Sequence, residues 1–187
     1  MSEKKIRIKE AAIRVMAKKG FHYTRPSDIA QEADVAVGTI YNYFDSKDEI
    51  LETIFADELQ KRMNFLIEAE KEKDSFWERL DYFLCKHFGE IKENPDLGKI
   101  LVREKDIKKS EGKPIKDYYQ LIPDRIAKLI INANDKNEIE IKDFDVYSSM
   151  LFGAIQGVVE KAINENNPDM LNRAPEIILK LFKNGMK

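Results

Sequence analysis

Residues 24–47 read Thr-Arg-Pro-Ser-Asp-Ile-Ala-Gln-Glu-Ala-Asp-Val-Ala-Val-Gly-Thr-Ile-Tyr-Asn-Tyr-Phe-Asp-Ser-Lys, and this stretch decides the fold. Ile29, Ala30 and Ala33 recur at helical spacing behind Thr24, a candidate N-cap. Pro26 falls in the first turn, where a missing N–H costs little. After Asp34-Val35 the pattern predicts a second short helix from about Val37 to Phe44, with Ile40 and Phe44 inward and one turn apart. Small residues where two short helices cross, and a second helix with a free outer side, are what a helix-turn-helix requires. That outer side holds Val37, Gly38, Thr39, Tyr41, Asn42 and Tyr43: hydroxyls, an amide and flat rings, with no acid to repel phosphate. Ordinary packing is the other fate open to the two tyrosines, but Ile40 and Phe44 already take the side that so short a helix can bury.

Working outward, Ile8, Ala11, Ala12, Val15 and Met16 mark an earlier helix that Gly20 stops. On the other side, Ser46-Lys47-Asp48-Glu49 reads as a capping box opening a long helix with Ile50, Leu51, Ile54, Phe55, Leu59, Met63 and Leu66 inward. Charged residues 68–74 end it. Further helices are predicted over about 75–92, from Pro95 through Leu101, over about 115–133 with a kink at Pro123, and over about 144–166 and 168–184. Residues 108–114 read as a polar loop. Only Ile139-Glu140-Ile141 alternates like a strand, and it is too short to build a sheet. The expectation is therefore an all-α chain of about nine helices: a three-helix head at 1–47 and a helical body at 48–187.

The chain has 187 residues, is 43% hydrophobic and 35% charged, and has no apolar run long enough to cross a bilayer. Its first residues are charged, so a cytoplasmic location without membrane association is expected. One cysteine, Cys85, excludes an internal disulfide. Net charge is −2, yet residues 1–25 carry eight Lys/Arg against two Glu, +6, which leaves −8 for the rest. A basic head on an acidic body is expected when one end meets phosphates, although a solvated basic helix face gives the same count. No catalytic site, metal site or cofactor is expected: Cys85 and His87, two apart on a helix, point to different faces, and no phosphate loop or paired metal-ligand motif occurs.

The run 29–51, with its Gly-Thr-Ile-Tyr-x-Tyr-Phe-x-x-Lys core, resembles the head of the TetR family of repressors. The resemblance implies that Thr39, Tyr41 and Tyr43 touch DNA backbone and bases and that Lys47 contacts a phosphate. It places Arg25 and Ser27 beside the neighbouring backbone and Val37 and Asn42 over the base edges, with Thr24 and Gly38 as further DNA-binding candidates. Three departures stand out: Asp34 for a glycine in the turn, Ala36 for a capping serine, and Val37 where many relatives are polar or basic.

A single recognition helix reads few base pairs, so a homodimer on a palindromic double-stranded operator is expected, its heads about 34–36 Å apart or a multiple of that. The resemblance puts the dimer interface on the last two helices, with Gly153, Ala154, Gly157, Ile178 and Phe182 as candidates; close packing within one subunit is the alternative for the small residues. It puts a small, largely apolar effector among the fourth to eighth helices. Candidate lining residues are Met63, Leu66, Phe83, Leu84, His87, Phe88, Leu101, Tyr118, Tyr119, Ile122, Met150 and Phe152, each of which could equally be plain core. Residues 94–103 and the run from Met150 are more distantly similar to the acyl-CoA-responsive repressors of fatty-acid degradation. That likeness would bring Arg103 to the ligand's phosphate or thioester end, a surface ion pair being its other fate. The implied function is a ligand-released repressor of transcription. A drug-responsive efflux repressor of the same family and a helical adaptor that binds only protein are the alternatives.

Overall fold

The computed structural model describes residues 2–104 and 113–185. Among them stand nine helices and no strand. Ser2 starts α1 (Glu3–Lys19) by accepting from the Lys5 amide at 3.3 Å, and Gly20, at φ +80°, stops it while donating to the Met16 carbonyl. A positive φ here suits the one residue without a Cβ. Next come α2 (Pro26–Glu32) and α3 (Val37–Tyr41), joined at Asp34 with φ +50°. The aspartate thus adopts a left-handed turn conformation, and the Arg7 guanidinium donates to its carbonyl oxygen at 3.0 Å.

Local hydrogen bonds moved two of the expected boundaries. Thr24 does not cap α2, because its hydroxyl donates back to the Gly20 carbonyl at 2.8 Å. Arg25 is the N-cap residue instead, and the Asp28 carboxylate accepts from its amide at 3.0 Å. The third helix ends at Tyr41, not Phe44; Tyr43 and Phe44 turn back through their amides onto the Ile40 carbonyl.

Ser46 caps α4 (Lys47–Glu72) by accepting from the Glu49 amide at 3.1 Å. The returning half of the box is shifted by one residue, since the Glu49 carboxylate accepts from Asp45 rather than Ser46. At 26 residues this helix is about 39 Å long and reaches from head to body. A complete capping box appears at Ser75 and Glu78, ahead of α5 (Phe76–Glu93). Then follow α6 (Pro95–Arg103), α7 (Lys113–Asp135), which continues through Pro123, α8 (Phe144–Asn164) and α9 (Asp169–Gly185). The expected polar loop at 108–114 lies outside the described residues up to 112, and α7 begins at Lys113. Ile139 and Ile141 are both buried on irregular backbone, with the Ile141 amide satisfied by the Asn134 side chain, so no strand forms.

The head packs α1, α2 and α3 around Ile8, Ala11, Ala12, Ile29, Ala30, Ile40 and Phe44, with Ile50, Leu51 and Ile54 of α4 closing the core. In the body α4 lies between α5 and α7, while α8 and α9 close the far side against α7 and α5. α6 bridges α1 and α8. Its Gly98 permits that approach: a Cβ there would lie 2.7 Å from the Ile163 Cδ1 and 3.1 Å from the Ile91 Cγ2.

Candidate DNA interface, effector core and dimer face

With Ile40 and Phe44 buried, the outer side of α3 is open: Tyr41 is 52% exposed, and Val37, Gly38 and Asn42 are exposed beside it. Thr39 and Tyr43 are half-buried, Tyr43 resting against the core. Arg25 and Ser27 are exposed at the start of α2. Thr24 is not part of this surface, for it is buried with its hydroxyl committed to Gly20. Tyr23, missed in the sequence, is 82% exposed in the preceding loop. Nothing periodic marks a loop residue; the only signal was an aromatic two residues before Arg25. The basic head is partly neutralised, since Lys9, Arg14 and Lys19 pair with Asp57, Glu32 and Asp28. The Lys19 ammonium, followed by the Arg25 amide, holds the Asp28 carboxyl below its usual range.

Lys47, expected on a phosphate, makes internal contacts in the isolated subunit. Its ammonium donates to the Phe21 carbonyl at 2.7 Å and the Thr24 carbonyl at 3.0 Å, and it lies 4.2 Å from the Phe21 ring centre. It therefore holds the loop between α1 and α2 at the foot of α4. The end of α6 holds both the last turn of α1 and this loop. The Arg103 guanidinium donates to the Ala17 carbonyl at 3.0 Å, and the buried Glu104 carboxylate accepts from the Phe21 amide at 3.0 Å. Arg103 is thus exposed and faces α1, away from the body core where the effector was expected. Lys47→Met should lower stability by about 1–2 kcal/mol, because two charge-assisted bonds are lost at a partly wet site. It should also weaken DNA binding through disorder of the loop carrying Tyr23 and Arg25. A urea titration checks the first effect and a binding isotherm the second.

In the body, Leu66, Phe83, Leu84, His87, Phe88, Leu101, Tyr118 and Ile122 are buried, and Met63, Tyr119 and Phe152 are half-buried. Phe55 meets Tyr118 edge-on, Phe83 stacks on His87, and Phe88 meets His87 edge-on. The Tyr119 hydroxyl donates to the Leu101 carbonyl. Among these apolar side chains is a polar group that the sequence did not reveal. Arg62 is 0% exposed. Its guanidinium donates from Nη1 to the Glu58 carboxylate and from Nε to the His87 Nδ1 at 3.3 Å. Glu58 also lies 3.4 Å from the Lys61 ammonium, which is itself bound to Glu90. Charged residues at i and i+4 of an amphipathic helix ordinarily read as a solvated pair. Only the arrival of α5 and α7 buries this one.

Burial, reinforced by the neighbouring Arg62 charge, pushes the His87 pKa well below its usual 6.5. In the unfolded chain the imidazole takes its proton near pH 6.5, whereas in the folded chain it does so only at lower pH. Between these points the unfolded state holds the extra proton. The contribution to stability is therefore complete above about pH 6.5 and falls by about 1.4 kcal/mol per unit as the solution is acidified. Denaturant titrations between pH 7.5 and 5.5 should show this slope in the native chain and its loss in His87→Phe.

The outer faces of α8 and α9 carry apolar residues that no other described residue covers. Val146 and Met150 are exposed on α8, Met150 to 58%, in line with Gly153 and Gly157, where an added Cβ would meet nothing within 4 Å. On α9, Ile177 and Leu181 are exposed to 59% and 65%. Met150 thus points away from the effector core. Ile178 and Phe182, expected on the dimer face, are instead buried within the subunit one helical position away, in the core that α9 shares with α5 and α8. Ala154 is half-buried.

Residues 8–54 match the family described as bacterial regulatory proteins, tetR family. Over 98% of its length the chain is 26% identical to the fatty acid metabolism regulator protein of Bacillus subtilis strain 168, covering 95% of that protein. A crystal structure of the transcriptional regulator FadR from Bacillus subtilis in complex with stearoyl-CoA superposes with a TM-score of 0.87 at 26% identity, covering 97% of this chain and 99% of that one. The fatty acid degradation regulator FadR from Bacillus halodurans shares the fold, with a TM-score of 0.86 at 22% identity over 96% of each chain. The head at residues 8–54 thus matches the tetR family of bacterial regulatory proteins, and the chain as a whole is similar over nearly its full length to a fatty acid metabolism regulator.

Proposed function

We propose that the chain is a transcriptional repressor that binds a palindromic operator as a homodimer and is released by a fatty acyl-CoA. The observation that carries the reading is the outer side of α3, where Val37, Gly38, Tyr41 and Asn42 stand exposed while Ile40 and Phe44 hold the helix to its support. Such a helix presents side chains to a major groove, with Tyr41 and Thr39 toward backbone and bases and Asn42 and Val37 over base edges. Arg25, Ser27 and Tyr43 flank it on the phosphates, and Lys47 supports the adjoining loop.

DNA reading is assigned to residues 1–47, and effector binding and dimerisation to 48–187, with α4 common to both. The stearoyl-CoA held by the Bacillus subtilis relative supports an acyl-CoA for the core lined by Phe83, Phe88, Tyr118 and Ile122. Effector binding favours a body state in which the heads no longer match the half-site spacing; coupling of this kind is typically about 1–3 kcal/mol. The exposed stripes of α8 and α9 support the dimer. A place in the cytoplasm follows from binding DNA, and no helix of the described residues is long and apolar enough to cross a membrane.

An electrophoretic shift with the DNA upstream of the chain's own gene tests the reading. The native protein should retard it, stearoyl-CoA should release it, and Tyr41→Ala should weaken binding about 10-fold or more without changing thermal stability. Undiminished binding by Tyr41→Ala would remove α3 as the reading helix.

A further inference from the structure

We propose, resting on α3 as the reading helix, that Arg7 is a positioning residue for operator recognition: it fixes the left-handed turn at Asp34 that sets α3 against α2, and it does not itself meet a phosphate. Two positions that ordinarily make such a turn self-supporting hold other residues here. Asp34 follows α2 with φ +50°, a conformation that glycine adopts without steric cost. Ala36 starts α3 with no side-chain hydrogen bond to the free amides of the first turn. With five residues, α3 has little internal bonding to offset either change.

The amides of the turn are satisfied by α2. Those of Ala33, Asp34 and Val35 donate to the carbonyls of Ile29, Gln31 and Ala30 at 2.9, 3.2 and 3.0 Å. The Asp34 carbonyl is served from outside the turn, by the Arg7 Nη2 at 3.0 Å, 27 residues earlier in the chain. A cation of α1 thus holds the peptide group that leaves the left-handed residue, and with it the direction in which the backbone enters α3. Its neighbours on α1 act in the same way. The Lys5 ammonium lies 4.8 Å from the Phe44 ring centre, and Lys9 pairs with Asp57 of α4. α3 is therefore held from α1 at both ends, by Arg7 before it and by Lys5 after it. Each of these three cations has a partner within the subunit, so positive charge alone does not assign them to phosphates.

Loss of the clamp acts through population. A head whose turn is competent for part of the time binds its operator with an affinity lowered by that fraction. Non-specific binding needs phosphates but not a fixed α3, so it is spared. Fluorescence anisotropy of the full-length protein, with the DNA upstream of its gene and with a scrambled duplex of the same length over a range of salt concentrations, tests this. Arg7→Met should lower affinity for the upstream DNA about 5- to 10-fold and leave both the scrambled-duplex affinity and the salt slope unchanged. A general loss of folded protein would instead lower both affinities together. In an Asp34→Gly background, where the turn needs no clamp, the same change should cost less than about 2-fold. Asp34→Gly alone should bind at least as tightly as the native protein, which decides the matter even if Arg7→Met fails to fold.

A salt slope shallower by about 0.9, with weaker binding to both duplexes, would make Arg7 a phosphate contact and overturn the assignment. Equal losses in the two backgrounds, no loss in either, or weaker binding by Asp34→Gly alone would also overturn it and would leave α3 as the reading helix. A native protein that does not distinguish the two duplexes would remove that role of α3, and the positioning role of Arg7 with it.

Discussion

The double substitution Ile177→Glu with Leu181→Glu is expected to convert the protein to a monomer in sedimentation and to lower operator affinity by at least about 10³-fold. Both side chains are exposed in the isolated subunit, so glutamate there creates no cavity and removes no internal contact. The effect must therefore arise between subunits. Paired with a copy of itself, α9 would bring four new negative charges into a dry apolar seam, where each would have to be desolvated without a partner. A lone head then binds with little more than phosphate contacts, and specific binding typically exceeds that level by about 10³-fold or more. An unchanged melting profile of the subunit with loss of the dimer would separate this outcome from unfolding. A variant that still sediments as a dimer would mean that α9 is not the seam.

Arg62→Met is expected to lower stability by about 3 kcal/mol, close to 10 °C in Tm for a chain of this size. The residue is buried, and its removal strands the Glu58 carboxylate and takes the donor from the His87 Nδ1. The nearby Lys61 ammonium keeps the loss toward the lower end of what breaking a buried pair costs. Removing the partner charge as well, in Arg62→Met with Glu58→Leu, should restore most of the stability, because an apolar replacement of a whole buried pair is often neutral. Thermal melts of the single and double variants check both statements. If the single variant melts like the native chain, the pair is wetter than its burial implies.

Much of the head was legible because its rules are local. Gly20 ends a helix, Ile40 and Phe44 lie one turn apart, and Ser46 has an amide three residues on to cap. Each of these follows from a few neighbouring residues. Thr24 defeated the same reasoning because two local partners competed for it, and the carbonyl behind took precedence over the amides ahead. The body was less legible for two opposite reasons. Glu58 and Arg62 look like a solvated pair until a neighbouring helix covers them. In α8 the two faces are both apolar, so Met150 could not be told from Leu151 by periodicity; only the position of α7 and α9 decides that Leu151 is buried and Met150 is not. The same one-position ambiguity separates Ile177 from Ile178 and Leu181 from Phe182.

The grip of Lys47 and Glu104 on the connection after α1, with Arg103 on the last turn of α1 itself, means that the reading head hangs from two struts of the body rather than one. A displacement along either strut strains the same handful of peptide groups, so the two inputs converge before they reach α3. Amide protons in that connection, Phe21 above all, should be the earliest to lose protection from exchange when an effector is added, ahead of any change in the recognition helix itself.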